Sequence, residues 1–179
     1  MDQFVFKSNS AKAIPGKGIH EKLSGVNQYD LPDDFRSILS NFHHAVFEWT
    51  GADILTIPFP KGTKFNSIEH AFQASKFMSS GYPDIALKFT VGYPIGNGTG
   101  ADAQKNRKLV KLSNMDIENW DSLSRKVMES AAKAKYAQNP ESMKVLQATA
   151  PATLMHLVVQ RGKPSILDHF KHLEDIRDC

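Results

Sequence analysis

The sequence predicts an α+β fold, mainly helical with a small β-sheet or hairpin. The stretch 116–139 repeats apolar residues at spacings of three and four, the mark of a helix with a buried face, and 66–79 opens on a capping-box pattern and carries apolar residues nearly all round a helical axis. Short β-prone runs bounded by glycine and proline stand near the start, before the first of these helices and near the end. At 179 residues the chain has room for one proper core and little more, so a single domain over residues 1–179 is expected.

The first strand is expected over residues 4–8, with Phe4 and Phe6 on one face, and a Pro/Gly-rich loop carrying Lys17 follows at 13–18. Residues 19–34 are polar and mixed, and a short helix from Asp33 or Asp34 to Leu39 closes them. Strands over 45–49 and 53–58 are expected to pair as a hairpin about Gly51-Ala52-Asp53. Asn66 then reads as an N-cap, with Glu69 three residues on in the capping-box position, and Ser-Gly-Tyr-Pro stops that helix after Ser79. A short helix is expected over 84–90, a glycine-rich loop over 92–100 and a further helix over 101–110. The longest helix should run over 116–139 until Pro140 ends it, followed by a helix over 141–148. A buried strand over 154–159 and a final amphipathic helix over 165–176 complete the chain. Lys126, Lys133 and Lys135 read as a solvated face of the long helix.

Composition is ordinary for a globular protein, 41% hydrophobic and 23% charged, which argues against disorder. A formal charge of +3 is compatible with a phosphate-bearing partner and well short of a polycationic nucleic-acid arm. The lone cysteine, Cys179, supports neither an intrachain disulfide nor a zinc ligand set. Without a signal-peptide pattern or an 18-residue apolar run, the expected location is cytoplasmic or nuclear, with no membrane and no metal involved.

The helix at 67–79 carries the chemistry. Its apolar residues point nearly all round the axis, which implies burial, yet Glu69, Gln73 and Lys76 at i, i+4 and i+7 share one stripe. Burying such groups without partners costs several kcal/mol each, so they line a polar cavity or pair with one another or a ligand. The plainer alternatives are a solvated face, or a Glu69 that only completes its capping box. His70 projects beside the stripe, where a hydrogen-bonded core histidine is the commoner outcome. Lys17, between Gly16 and Gly18, invites comparison with a phosphate cradle, although the P-loop spacing is absent. The G-x-G-x-G of residues 96–100 follows no βαβ strand and is not a dinucleotide fingerprint. Trp120 fits either a core position or the edge of a pocket that stacks bases or sugars.

Taken in order, LSNF (39–42), NSIEHAFQASKF (66–77), Asn119-Trp120, AAKAKYAQNP (131–140) and LQATAPATLMH (146–156) resemble the NADAR (YbiA-like) family. The ordered set spans about residues 4–157, and PGKGIHE resembles the longer subgroup in which a GKG-x-x-E segment precedes LSNF. The resemblance implies a NADAR/YbiA-like fold and hydrolysis of N-glycosidic bonds without a cofactor. Within it, the GKG-x-x-E subgroup implies removal of ADP-ribose from the guanine amine in DNA, or in RNA or nucleotide, with ADP-ribose as product. The alternatives are hydrolysis of ribosylamino pyrimidine intermediates of riboflavin synthesis, and a non-catalytic ADP-ribose-binding module. Glu69 is implied as acid/base, and Lys76 and Lys17 compete for the nucleophile or phosphate-binding role. Asn41 and Phe42 are implied to shape the pocket, Trp120 to stack against the substrate and Glu21 to hold ribose hydroxyls. Gly18, His70 and Gln73 complete the candidate substrate-contacting set.

Overall fold

A computed structural model describes residues 1–25 and 28–179; the irregular stretch 19–34 therefore falls partly outside the described residues. The chain divides into two compact units, a terminal unit of residues 1–40 with 140–179 and a central unit of residues 41–139.

The terminal unit is built on a three-stranded sheet of order β1-β4-β5. Strand β1 (Gln3–Phe6) pairs in parallel with β4 (Thr153–Val158), Phe4 opposite Leu154 and Phe6 opposite His156. Helix α1 (Phe35–Leu39) packs on β1 and on α6 (Pro140–Ala148), and Pro140, expected only to stop the long helix, begins the next one. That is a favoured place for proline, whose missing N–H is not needed in a first turn. Phe4 meets Tyr29 and Phe35 edge-on at 4.9 and 5.1 Å, and Phe6 meets Phe170 at 5.4 Å. These rings form the core of the unit.

The expected final helix over 165–176 is corrected. Its first part is a strand, β5 (Ile166–His169), antiparallel to β4, and only α7 (Lys171–Arg177) is helical. Gly162 takes a φ of 72°, and with Pro164 it turns the chain into a hairpin; pairing with β4 then overrides a helical period that extended into Ile166–His169.

In the central unit, β2 (Phe47–Glu48) pairs antiparallel with β3 (Lys64–Phe65), so the hairpin expected between 45–49 and 53–58 is also corrected. After Gly51 (φ 68°) the chain closes a tight turn, with the N–H groups of Ile54 and Leu55 donating to the Gly51 carbonyl. Leu55 is buried by that turn, and residues 53–58 supply no ladder partner. Phe59 packs edge-on against Phe65, and Trp49 meets Phe65 edge-on and Phe59 at a tilt.

Helix α2 (Ile68–Ser79) is the hub of this unit and packs on α3 (Pro83–Leu87), α4 (Gly100–Lys105) and α5 (Asn114–Gln138). Capping boxes at Thr99/Asp102 and Ser113/Asp116 start α4 and α5. The expected helix over 101–110 is shorter, ending at Lys105. On α5, Lys126 and Lys133 are exposed as expected, but Lys135 is 0% exposed. It stands four residues after Ala131 and seven after Met128, on the stripe that packs inward.

Candidate active site

Helix α2 begins one residue later than its sequence suggests. Ser67, not Asn66, is the N-cap, and its hydroxyl accepts from the His70 N–H at 3.2 Å. Glu69 therefore takes no part in a capping box. Its N–H is satisfied by the Asn41 carbonyl at 3.0 Å, which ties the LSNF segment to the first turn of α2. Asn66 instead donates from Nδ2 to the Gly98 carbonyl at 3.2 Å.

With its cap filled by Ser67, the Glu69 carboxyl is directed elsewhere. It is 9% exposed, and Oε1 accepts from Gln73 Nε2 at 2.8 Å one turn along the helix. Burial pushes the carboxyl above the usual glutamate range; the Gln73 hydrogen bond and the charges of Lys76 and Arg107 oppose this without cancelling it. Lys76, half-buried, is shifted the opposite way. Desolvation lowers its ammonium below the usual lysine range, Glu69 works against that and Arg107 adds to it. Lys76 Nζ donates to the Arg107 carbonyl at 2.6 Å. Glu69, Gln73 and Lys76 are thus an electrostatically linked stripe, a raised acid beside a lowered base.

The stripe holds one unmet demand. Gln73 is 5% exposed, and its Oε1 is buried with no hydrogen-bond partner among the described residues. A buried acceptor in that state costs about 1–3 kcal/mol, which a donor on a bound molecule recovers. Phe72, beside the stripe, meets the Trp120 ring edge-on at 4.9 Å. Trp120 is 6% exposed and packs in the α2–α5 seam, so any stacking surface it offers is an edge beside Phe72.

His70 has a structural task. It is fully buried; its Nδ1 lies 2.7 Å from the Ser67 hydroxyl, and its Nε2 lies 2.9 Å from the Ile95 carbonyl. Both ring nitrogens are spent, and burial lowers the imidazole below the usual histidine range. Together with Asn66, it fastens the glycine-rich loop to the start of α2. Two glycines make that loop possible. A Cβ at Gly96 would fall 1.6 Å from the Thr90 carbonyl oxygen, and one at Gly100 would fall 2.7 Å from Phe42 Cα. Phe42 thus seats the start of α4.

The terminal unit carries the other candidate residues. Glu21 is tied into its own loop. Its Oε1 accepts from the N–H groups of Gly16 (3.0 Å) and Gly18 (3.2 Å) and from Arg36 Nη2 (2.5 Å). Its Oε2 accepts from the Val5 N–H (3.1 Å) and Arg36 Nε (2.7 Å). Five donors occupy this carboxylate. The backbone cradle around Lys17 is real, but the anion it holds is the protein's own. Gly18 must be glycine here, because a Cβ would lie 2.7 Å from Glu21 Cδ and 2.8 Å from Arg36 Nε. Lys17 itself is exposed at the turn.

Sequence reasoning missed Arg36, Arg107 and the inward-facing Lys135. Burial of Lys135 lowers its ammonium to about 7. Its heptad position was the signal that could have found it. Among the described residues, no group of three or more His, Cys, Asp or Glu is arranged to hold a metal ion, and no helix is long and apolar enough to cross a membrane.

The NADAR domain matches residues 29–160. The chain belongs to the NADAR family. Its relatives include the N-glycosidase YbiA of Escherichia coli K12, 33% identical over 95 residues, which is 52% of this chain and 52% of that protein. The N-glycosidase YbiA of Shigella flexneri serotype 5b is 34% identical over 94 residues, again 52% of each. The chain thus aligns with about half the length of the curated relatives it matches. The NMR structure of E. coli YbiA superposes with a TM-score of 0.54 at 21% identity, covering 99% of this chain and 85% of that one, and shares the α+β fold.

Proposed function

We propose that this NADAR chain hydrolyses N-glycosidic bonds, and that its substrate is ADP-ribose joined to the exocyclic amine of guanine in nucleic acid. The observation that carries the reading is Glu69, a buried carboxyl released from capping, raised by desolvation and linked to a lysine of lowered basicity. Acid/base work at neutral pH needs this kind of shift. The names of the YbiA relatives support the reaction class, and the GKG-x-x-E segment is the reason for preferring guanine.

In the direct route, the Glu69 acid protonates the leaving amine as the bond from ribose C1 to nitrogen breaks. The resulting carboxylate takes a proton from the water that adds at C1, giving free amine, ADP-ribose and a regenerated acid. In the covalent route, the sugar ring opens to an imine and a neutral lysine adds to C1. The guanine amine then departs to leave a Schiff base, which water hydrolyses to ADP-ribose and free lysine. Gln73 Oε1 waits for a donor, which a ribose hydroxyl or the exocyclic N–H supplies.

The test is incubation of the full chain with a DNA oligonucleotide ADP-ribosylated on guanine, beside one modified on thymine. Release from guanine alone supports the reading; release from neither refutes the guanine assignment. Borohydride added during turnover traps the Schiff base if it forms, and the modified residue, Lys76 or Lys17, names the nucleophile.

A further inference from the structure

The formal charge of +3 is unevenly placed along the chain. Lys105, Arg107, Lys108 and Lys111 stand close together, and no Asp or Glu occurs from residue 103 to residue 115. All four of these side chains are exposed. Lys105 belongs to the last turn of α4, where a cation suits the helix dipole, but the other three lie beyond it, in the irregular stretch 106–113 before α5. The nearest carboxylates along the chain are engaged in caps. Asp102 accepts from the Thr99 N–H at 2.9 Å, and Asp116 accepts from the Ser113 N–H at 3.2 Å. Among the described residues none of the four cations forms an ion pair. A solvated face ordinarily mixes both signs of charge, and this run carries one.

The run is fastened beside the candidate catalytic groups. Lys76 Nζ, on the Glu69 stripe, donates to the Arg107 carbonyl at 2.6 Å, and Arg107 Nη1 donates to the Gln104 carbonyl at 3.0 Å. The Arg107 charge is felt at both Glu69 and Lys76. Stripe and run belong to the same compact unit, so a polymer held along the run passes the stripe.

Reach and shape define the partner. The run from Lys105 to Lys111 spans at most roughly 20 Å, so a lone phosphate meets only part of it, whereas a polynucleotide offers a phosphate every few Å of strand. Short Lys/Arg-rich runs recur where proteins meet nucleic acid. An anionic lipid surface also repeats its charge, but a protein lies on one through an amphipathic helix or a covalent lipid, and residues 106–113 form no helix. We propose that residues 105–111 bind the phosphodiester backbone of the nucleic acid strand flanking the base that enters the Glu69 site, with Lys105, Arg107, Lys108 and Lys111 neutralising its phosphates. The surface concerns the strand outside the scissile bond and not the ADP-ribose. It takes its partner from the N-glycosidase reading and rests on that reading in this respect.

Fluorescence anisotropy of the full chain with a short, unmodified single-stranded DNA tests it across about 50–200 mM salt. Four phosphate contacts on a single strand give a slope of log K against log salt of about −3. Lys105→Ala/Lys108→Ala/Lys111→Ala should make that slope shallower by about 2 and weaken binding at least tenfold at the lower salt. Arg107 is kept in this variant, because its charge acts on Glu69 and Lys76. Lys126→Ala/Lys133→Ala, at exposed positions of α5, should change neither quantity. The proposal is overturned if wild type binds no DNA up to about 1 mM at low salt, or if the triple variant keeps the wild-type affinity and slope. It is also overturned if the α5 variant weakens binding as much, or if phosphatidylserine vesicles, and not DNA, are what the triple variant ceases to bind. Unmodified DNA undergoes no turnover, so the two readings fail separately. With the guanine-modified oligonucleotide, the triple variant should lose kcat/KM about as far as it loses affinity. Binding through the run without release of ADP-ribose refutes the N-glycosidase reading and supports the surface; release with DNA affinity untouched by the triple variant does the reverse.

Discussion

Replacing Arg36 with methionine separates a structural keystone from a surface charge. Arg36 makes four hydrogen bonds, two to Glu21 and one each to the carbonyls of Ala13 and Ile14, from a side chain only 4% exposed. Breaking a buried ion pair by removing one partner costs about 3–5 kcal/mol. Glu21 keeps the N–H donors of Val5, Gly16 and Gly18, so its carboxylate remains partly solvated by backbone. The expected loss is therefore at the low end, roughly 3–4 kcal/mol, or a fall in Tm of about 6–16 °C for a chain of this size. Glu21→Ala should cost at least as much, because it strands Arg36 and three backbone N–H groups together. Thermal unfolding by circular dichroism reads both variants, and formate at millimolar concentration should restore part of the Glu21→Ala loss by filling the vacated anion position. A loss below about 1 kcal/mol for Arg36→Met, the range of an exposed pair, refutes the reasoning. A milder effect for Glu21→Ala than for Arg36→Met refutes it too.

Glu69→Gln should reduce turnover about 10²–10⁴-fold while Tm at neutral pH holds level or rises, because it removes a charge that burial disfavours; a large stability loss would make the residue structural instead. With the Glu69 carboxyl raised above its unfolded value of 4.5, its contribution to stability is complete below that pH and is lost as pH rises through the folded value. Activity that needs the protonated acid should decline on the alkaline side. His70→Gln should give up stability that in the wild type is present above the unfolded histidine value of 6.5 and declines as pH falls; urea titrations at pH 7.5 and 5.5 should show the difference between the two proteins narrowing. Lys135 is lowered from 10.5 to about 7, so its contribution is lost as pH falls between those values; the stability of wild type relative to Lys135→Met should rise from pH 7 to 10, and a flat difference would place the ammonium in water. Gly96→Ala should cost more than Gly81→Ala, since the first collides with backbone at 1.6 Å and the second, at φ 86°, meets open space and carries only a left-handed strain of about 1–2 kcal/mol; equal losses would sink the steric argument.

What was legible in the sequence followed local physics. Helices α2 and α5 announced themselves because their period runs for several turns and polar caps stand at their starts. The Glu69, Gln73 and Lys76 stripe follows from helical spacing alone, and Glu69 and Gln73 do bond one turn apart. The cap slipped by one residue because Asn66 and Ser67 are both good caps, and the Gly98 carbonyl that claims Asn66 lies 32 residues away. Roles that depend on distant partners were hidden for the same reason. Nothing near His70 reveals the Ile95 carbonyl, and nothing near Glu21 reveals that Arg36 folds back on it. Residues 166–169 misled because a run of four fits either period, and only pairing with β4 decides between them.

The parallel pairing of β1 with β4 sets a timetable. Gln3 lies opposite Thr153, so β1, once it leaves the ribosome, waits for a partner 150 residues later. At about 5–20 residues per second, synthesis of that interval takes roughly 8–30 seconds. The central unit, continuous from residue 41 to 139, is complete before β4 exists and meets no such delay. Meanwhile Phe6, buried in the finished protein against His156 and Phe170, lacks both of those partners on the nascent chain. The interval in which this protein is most exposed to misassembly is written into its strand order.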